Sequence, residues 1–139
     1  MITKKDLDYL TYIIIGCAIE VHKELGPGLL ESVYHSCFVE ELINKQLSYQ
    51  SQLEVPIVYK GKQLHAGLRL DVLVEDIMIV EIKSVEKILS VHQAQLLTYL
   101  KLLEKPKGIL INFNCTNIFK EGQKQWLMNT ILYYPNLNN

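Results

Sequence analysis

The chain has 139 residues, with 14 Lys and Arg against 15 Asp and Glu and a net charge of −1. That length suits one domain, 1–139, able to bury its own core without a metal or disulfide staple. At 49% apolar and 21% charged residues the composition excludes intrinsic disorder. The balanced charge excludes a strongly basic protein that grips nucleic acid with its whole surface. Any contact with phosphate has to be local.

Cys17, Cys37 and Cys115 are odd in number and scattered. They form neither a disulfide framework nor a zinc-ligand spacing, and read as free thiols of a reducing cytoplasm. The apolar run Ile13–Ile19 is far shorter than the ~20 residues of a membrane span, so no membrane partner is expected.

Leu7, Leu10, Ile14, Cys17, Ala18, Val21 and Leu25 share one helix face. Asp6 is placed to cap this helix and Gly26-Pro27-Gly28 to end it. Leu30, Val33, Tyr34, Cys37, Phe38 and Leu42 form the buried stripe of a second helix that fades near Lys45. The period then changes. Leu53, Val55, Ile57 and Tyr59 alternate as a strand, with Pro56 marking an edge or a bulge. Lys60-Gly61 reads as a hairpin turn. Leu64 to Val74 alternate along a long second strand, and a third runs from about Ile77 to Lys83.

Ser90-Val91-His92-Gln93 has capping-box form, so a helix starts near Val91 and runs to Glu104. The apolar stretch Gly108–Phe113 fits a buried strand reached by that helical crossover. Beyond a core of about 5–115, residues 116–134 read as a short strand and helix. The fold class is thus α/β (α+β): two N-terminal helices, an antiparallel three-stranded meander, a crossover helix and a further strand.

Register brings out the chemistry. A three-residue connection, Glu75-Asp76-Ile77, pairs Val74 with Met78, Val72 with Val80 and Leu70 with Ile82, giving a wholly apolar face. The other face then sets Asp71 opposite Glu81 and Arg69 opposite Lys83. A two-residue turn would instead drive Glu81 into the core unpartnered, at a cost of several kcal/mol. Two carboxylates facing each other at ~5 Å repel unless a proton or a divalent cation lies between them. Oxygen ligands of this kind favour magnesium or manganese over zinc. The competing reading is a solvated strand face on which Arg69 and Lys83 neutralise the acids.

Asp71 and the triplet Glu81-Ile82-Lys83 resemble the PD-(D/E)XK nuclease superfamily, where an Asp and a Glu-X-Lys flank a metal on a β-hairpin. Gly28-Leu29-Leu30-Glu31-Ser32-Val33-Tyr34 resembles the GxxExxY motif of a small prokaryotic branch. Gln95-Leu96-Leu97-Thr98-Tyr99 is similar to the QLxxY element on the helix that follows the Glu-X-Lys strand. The order of elements also matches the restriction-endonuclease-like core.

The resemblance implies a metal-dependent nuclease that hydrolyses phosphodiester bonds, in DNA before RNA. Asp71, Glu81 and Glu31 would hold one or two Mg²⁺ or Mn²⁺ ions, and Lys83 would assist the attacking water or the charge on phosphate. Gln95 would position water or phosphate with Tyr99 in support, and Arg69 would grip phosphate. Plainer roles stand beside these. Glu31 can serve as an N3 glutamate although it shares the stripe of Tyr34 and Phe38, and Arg69 can simply neutralise Asp71. Tyr34 is read as packing; His22, His35, His65 and His92 lack metal-ligand spacing, and His65 and His92, which could approach the site, read as ordinary polar surface residues. The alternative function is a non-catalytic nucleic-acid- or protein-binding module that keeps the fold. A core this small, without a DNA-reading domain, calls for a second copy or a protein partner to hold substrate.

Overall fold

The computed structural model describes residues 2–128. Helix α1 (Lys4–Leu25) starts at Thr3, whose hydroxyl accepts the Asp6 amide while the Asp6 carboxylate accepts the Thr3 amide. Asp6 is therefore the third helical residue of a reciprocal cap, and Thr3 is the cap itself. Gly26 and Gly28, at φ 68° and 97°, take backbone conformations that side chains resist, and the chain turns there into α2 (Glu31–Asn44).

The strands are β1 (Tyr49–Glu54), β2 (Ile57–Tyr59), β3 (Lys62–Leu64), β4 (Arg69–Val74), β5 (Met78–Lys83), β6 (Lys107–Asn112) and β7 (Gln123–Leu127). Helix α3 (Ser90–Leu103) carries the chain from β5 to β6, and a single π-helical turn, Ile118–Gly122, precedes β7. One five-stranded sheet runs in the order β1-β4-β5-β6-β7, and β2 and β3 form a separate hairpin. Among the described residues only β5 and β6 pair in parallel. This is the mixed α+β, restriction-endonuclease-like arrangement expected from the sequence.

Both faces of the sheet are covered. On one, Leu10, Ile14, Cys17 and Val21 of α1 and Tyr34, Phe38 and Leu42 of α2 pack on Val72, Val74, Met78, Val80 and Ile82. On the other, Leu96, Tyr99 and Leu100 of α3 pack on Leu73, Ile79 and Leu110. Each such side chain contributes roughly 1.5–3 kcal/mol of apolar burial. Among the described residues no helix is long and apolar enough to cross a membrane.

The register is the expected one, with Val74 opposite Met78 and Val72 opposite Val80. Glu75 and Asp76 both have positive φ, and the Ile77 amide closes the turn on the Val74 carbonyl. Ile77 is thus the one extra residue that sets the pairing.

Other expectations are corrected. The long first and second strands are each broken, the first at Val55-Pro56, where proline cannot continue the ladder, and the second over 65–68, where Gly67 takes φ 72°. Leu70 packs with the α3-side cluster and not beside Val72, so the alternation of β4 slips at Asp71. On α2, Leu30 and Val33 are exposed, leaving a narrower buried stripe. His92, not Gln93, reaches back to the start of α3, its Nδ1 accepting the Leu89 amide at 3.0 Å. The short strand expected within 116–134 is found at Gln123–Leu127, where it joins the sheet as a fifth strand, and the rest of that stretch from 129 onward, with Ile131 and Leu132, lies outside the described residues.

Tyr34 ties the α1–α2 loop to the core. Its ring stacks on Phe113 at 4.5 Å. Its hydroxyl donates to the Gly26 carbonyl at 2.5 Å and accepts the Leu29 amide at 3.1 Å. Ser84, just past β5, donates to the Leu29 carbonyl. Tyr34→Phe keeps the stack and removes both hydroxyl bonds. It should cost about 1–2 kcal/mol in denaturant unfolding, whereas Phe113→Ala should cost about 3–5.

Candidate active site

The β4–β5 ladder reaches Val72–Val80, and two side chains take over the backbone groups that follow. The Asp71 carboxylate accepts the Ile82 amide at 2.7 Å, and the Glu81 carboxyl accepts the Asp71 amide at 3.3 Å. Each acid is held by the other strand's backbone, so the two cross at the point where the strands part.

Their environments differ. Asp71 is half-buried. Glu81 is 4% exposed, and its pKa is pushed up to about 9 by desolvation first and by the charge of Asp71 second. Lys83 pulls the other way and is outweighed. Glu81 is therefore not on a solvated strand face, whereas Arg69, expected on the same face, is exposed. Arg69 does not neutralise Asp71 by an ion pair among the described residues. Its Nη1 donates to the Gln52 carbonyl at 3.2 Å.

A cavity of about 460 Å³ opens between α2 and the parted strands, lined by Glu31, Ser32, His35, Ser36, Gln52, Asp71, Ile82 and Lys83. Glu31 is the first helical residue of α2 and is exposed on that wall. It is thus neither an N3 glutamate nor on the stripe of Tyr34. Lys83 closes β5, its carbonyl receiving the Phe113 amide at 2.9 Å. Glu81 sits beneath the wall. Tyr99, 2% exposed, lies behind the acids with its hydroxyl 3.5 Å from the Arg69 carbonyl. Burial raises its pKa, with the charges of Glu81 and Asp71 adding to the effect. Gln95, one turn earlier, is exposed and, like Arg69, is not on the cavity wall.

Sequence reasoning passed over His35 and Gln52. Nε2 of His35 lies 2.9 Å from Ser51 Oγ and 3.3 Å from the Asp71 carbonyl. The signal was there, since Glu31 and His35 are four apart and share a helix face. Gln52 falls opposite Asp71 between the pairs Ser51–Val72 and Leu53–Leu70. At φ 54° it has a left-handed backbone uncommon outside glycine. Nothing in its neighbourhood of sequence announces that.

Among the described residues no three His, Cys, Asp or Glu converge as a ready metal cage, so Glu31 does not join Asp71 and Glu81 in a closed set. The pair itself fits a divalent cation. It offers hard oxygen donors, one of them a buried carboxyl that a proton or a cation must stabilise.

A proton does this in the metal-free protein, and it fixes the sign of the pH dependence. A folded-state pKa raised above 4.5 gives a contribution present below that value and lost as pH rises toward the raised one. Glu81→Gln should flatten this slope and raise the melting temperature at about pH 8 by roughly 5 °C, some 2 kcal/mol. Melts of both proteins across pH in a chelator measure it, and an unchanged slope would assign the titration elsewhere.

No curated protein and no solved structure matches the chain. A family model described as the PD-(D/E)XK nuclease superfamily matches residues 8–125, from the first turns of α1 to the middle of β7. The match spans the crossed acids, Lys83 and every element that holds them. The chain belongs to the PD-(D/E)XK nuclease superfamily.

Proposed function

We propose that the protein is a metal-dependent nuclease that hydrolyses phosphodiester bonds, in DNA before RNA, and that it belongs to the GxxExxY branch. The observation that carries this reading is the crossing of Asp71 and Glu81 at the parted strands, with Lys83 on the wall of the adjoining cavity. Superfamily membership supports a nuclease-like activity, and such nucleases typically use divalent ions.

Asp71 and Glu81 are the residues that would hold Mg²⁺ or Mn²⁺, one ion or two, with Glu31 across the cavity as a further oxygen donor. A cation there supplies Lewis-acid stabilisation of charge on the phosphate and orients water. Lys83 brings an ammonium to the same wall, where it offsets developing negative charge or steadies the attacking water. Tyr99, fixed to β4, backs the acids and keeps water from their far side. Arg69 and Gln95, both exposed, act on substrate outside the cavity, Arg69 as a phosphate grip and Gln95 on water or phosphate. Three unpaired cysteines fit a reducing compartment, the cytoplasm.

Two measurements test this reading. Mn²⁺ or Mg²⁺ at about a hundred times its dissociation constant should stabilise the fold by about 2.7 kcal/mol. Asp71→Ala/Glu81→Ala should lose that gain. Lys83→Ala should lower cleavage of a DNA substrate by about 10²–10³-fold at an unchanged melting temperature. Absence of cleavage by the wild type with either metal, on DNA and RNA alike, would favour the non-catalytic binding module.

A further inference from the structure

A chain of net charge −1 has little general attraction for a polyanion, so a nuclease built on it needs a local grip. The β2–β3 hairpin is placed to be one. It leaves the sheet where β1 and β4 end, beyond the pair Glu54–Arg69, and the Val55 amide closes its base on the Leu68 carbonyl at 2.8 Å. Gln52 and Asp71, on the cavity wall, lie two residues inside that pair. At ~3.4 Å per residue the arm therefore springs from roughly 7 Å away.

Its composition differs from that of the whole chain. From Val55 to Leu70 there are Lys60, Lys62 and Arg69 and no Asp or Glu. Glu54, at the base, is engaged by His65 at 3.1 Å. Among the described residues neither Lys60 nor Lys62 makes an ion pair. Tyr59 is 60% exposed. Lys60 Nζ stands 5.5 Å from its ring centroid, and Lys62 is its partner across the strands. Lys60 and Gly61 both have positive φ, the tight turn that fixes this pairing. Three-residue strands with an exposed aromatic at the tip serve no core of their own.

We propose that this hairpin holds the nucleic-acid substrate, with Lys60 and Lys62 at its tip and Arg69 at its base on phosphates of one strand and Tyr59 stacked on a base. The inference rests on the nuclease reading and names how that site secures its strand. A second copy of the chain is the poorer occupant, because pairing two such arms sets lysines against lysines.

The test is anisotropy of a labelled single-stranded DNA oligonucleotide, titrated with the intact protein in chelator at several salt concentrations. Lys60→Gln/Lys62→Gln should weaken binding about tenfold and flatten the salt dependence by about 1.4 log units per log unit, two phosphate contacts' worth. Tyr59→Ala should weaken it by a similar factor with the slope unchanged. Lys62→Gln alone, with half the change in slope, serves if the double variant unfolds. Wild-type affinity and slope in all the variants would overturn the proposal, as would absence of binding by the wild type. Self-association abolished by Val58→Ser/Tyr59→Ser would also overturn it and give the arm to a protein partner. Cleavage assayed separately keeps the two readings apart. Cutting with unaltered binding in the variants sinks the arm alone, and binding lost in the variants of a protein that never cuts sinks the nuclease alone.

Discussion

Two carboxyl groups occupying backbone hydrogen-bonding positions between β4 and β5 are the feature on which the rest of this molecule turns. A strand pair normally satisfies its own amides. Here the Ile82 amide goes to Asp71 and the Asp71 amide to Glu81, so the strands can part without orphaning donors. That exchange opens the sheet and leaves two acids at its mouth. It also forces them together in a place where α3 has removed the water behind them. Repulsion and desolvation are the cost of the opening, and they make the pair receptive to a proton or a cation.

The supports around this point are arranged to resist collapse. On one side, Tyr34 and Ser84 fasten the loop ahead of α2, which fixes where Glu31 and His35 stand. On the other, the parallel pairing of β5 with β6 continues through Lys83–Asn112. The Asn112 amide group clasps both backbone groups of Val85, at 3.1 and 2.9 Å. The end of β5 is thus held by its β6 neighbour after β4 has diverged. Lys83 stays on the cavity wall for that reason.

Much of this was legible from residue order. Burial of Val72, Val74, Met78 and Val80 demanded one register, and that register set Asp71 against Glu81 with no structure in hand. The periodicity of α1 and the apolar run of β6 were equally plain, because deep burial writes a strong pattern. What escaped depends on local backbone breaks. Alternation from Leu53 to Tyr59 and from Leu64 to Val74 reads as two long strands. Pro56 and residues 65–68 cut both and release the hairpin arm. Leu70 changes faces because the alternation of β4 slips at Asp71, which no periodic rule anticipates. Leu30 and Val33 look like core and lie exposed, since the loop before α2 sets the helix rotation. His35 was judged by metal-ligand spacing when its significance comes from sharing a face with Glu31.

Gln52 has a bearing beyond the cavity it helps to line. Strand β1 is an outer strand of the sheet, and its free side offers amides and carbonyls to any extended chain that meets it. The left-handed turn of the backbone at Gln52 (φ 54°) interrupts that row. It leaves Tyr49–Ser51 on one side and Leu53–Glu54 on the other. Neither piece is long enough to template a stable foreign strand. The distortion that shapes the mouth of the site also blunts a border that would otherwise be prone to aggregation.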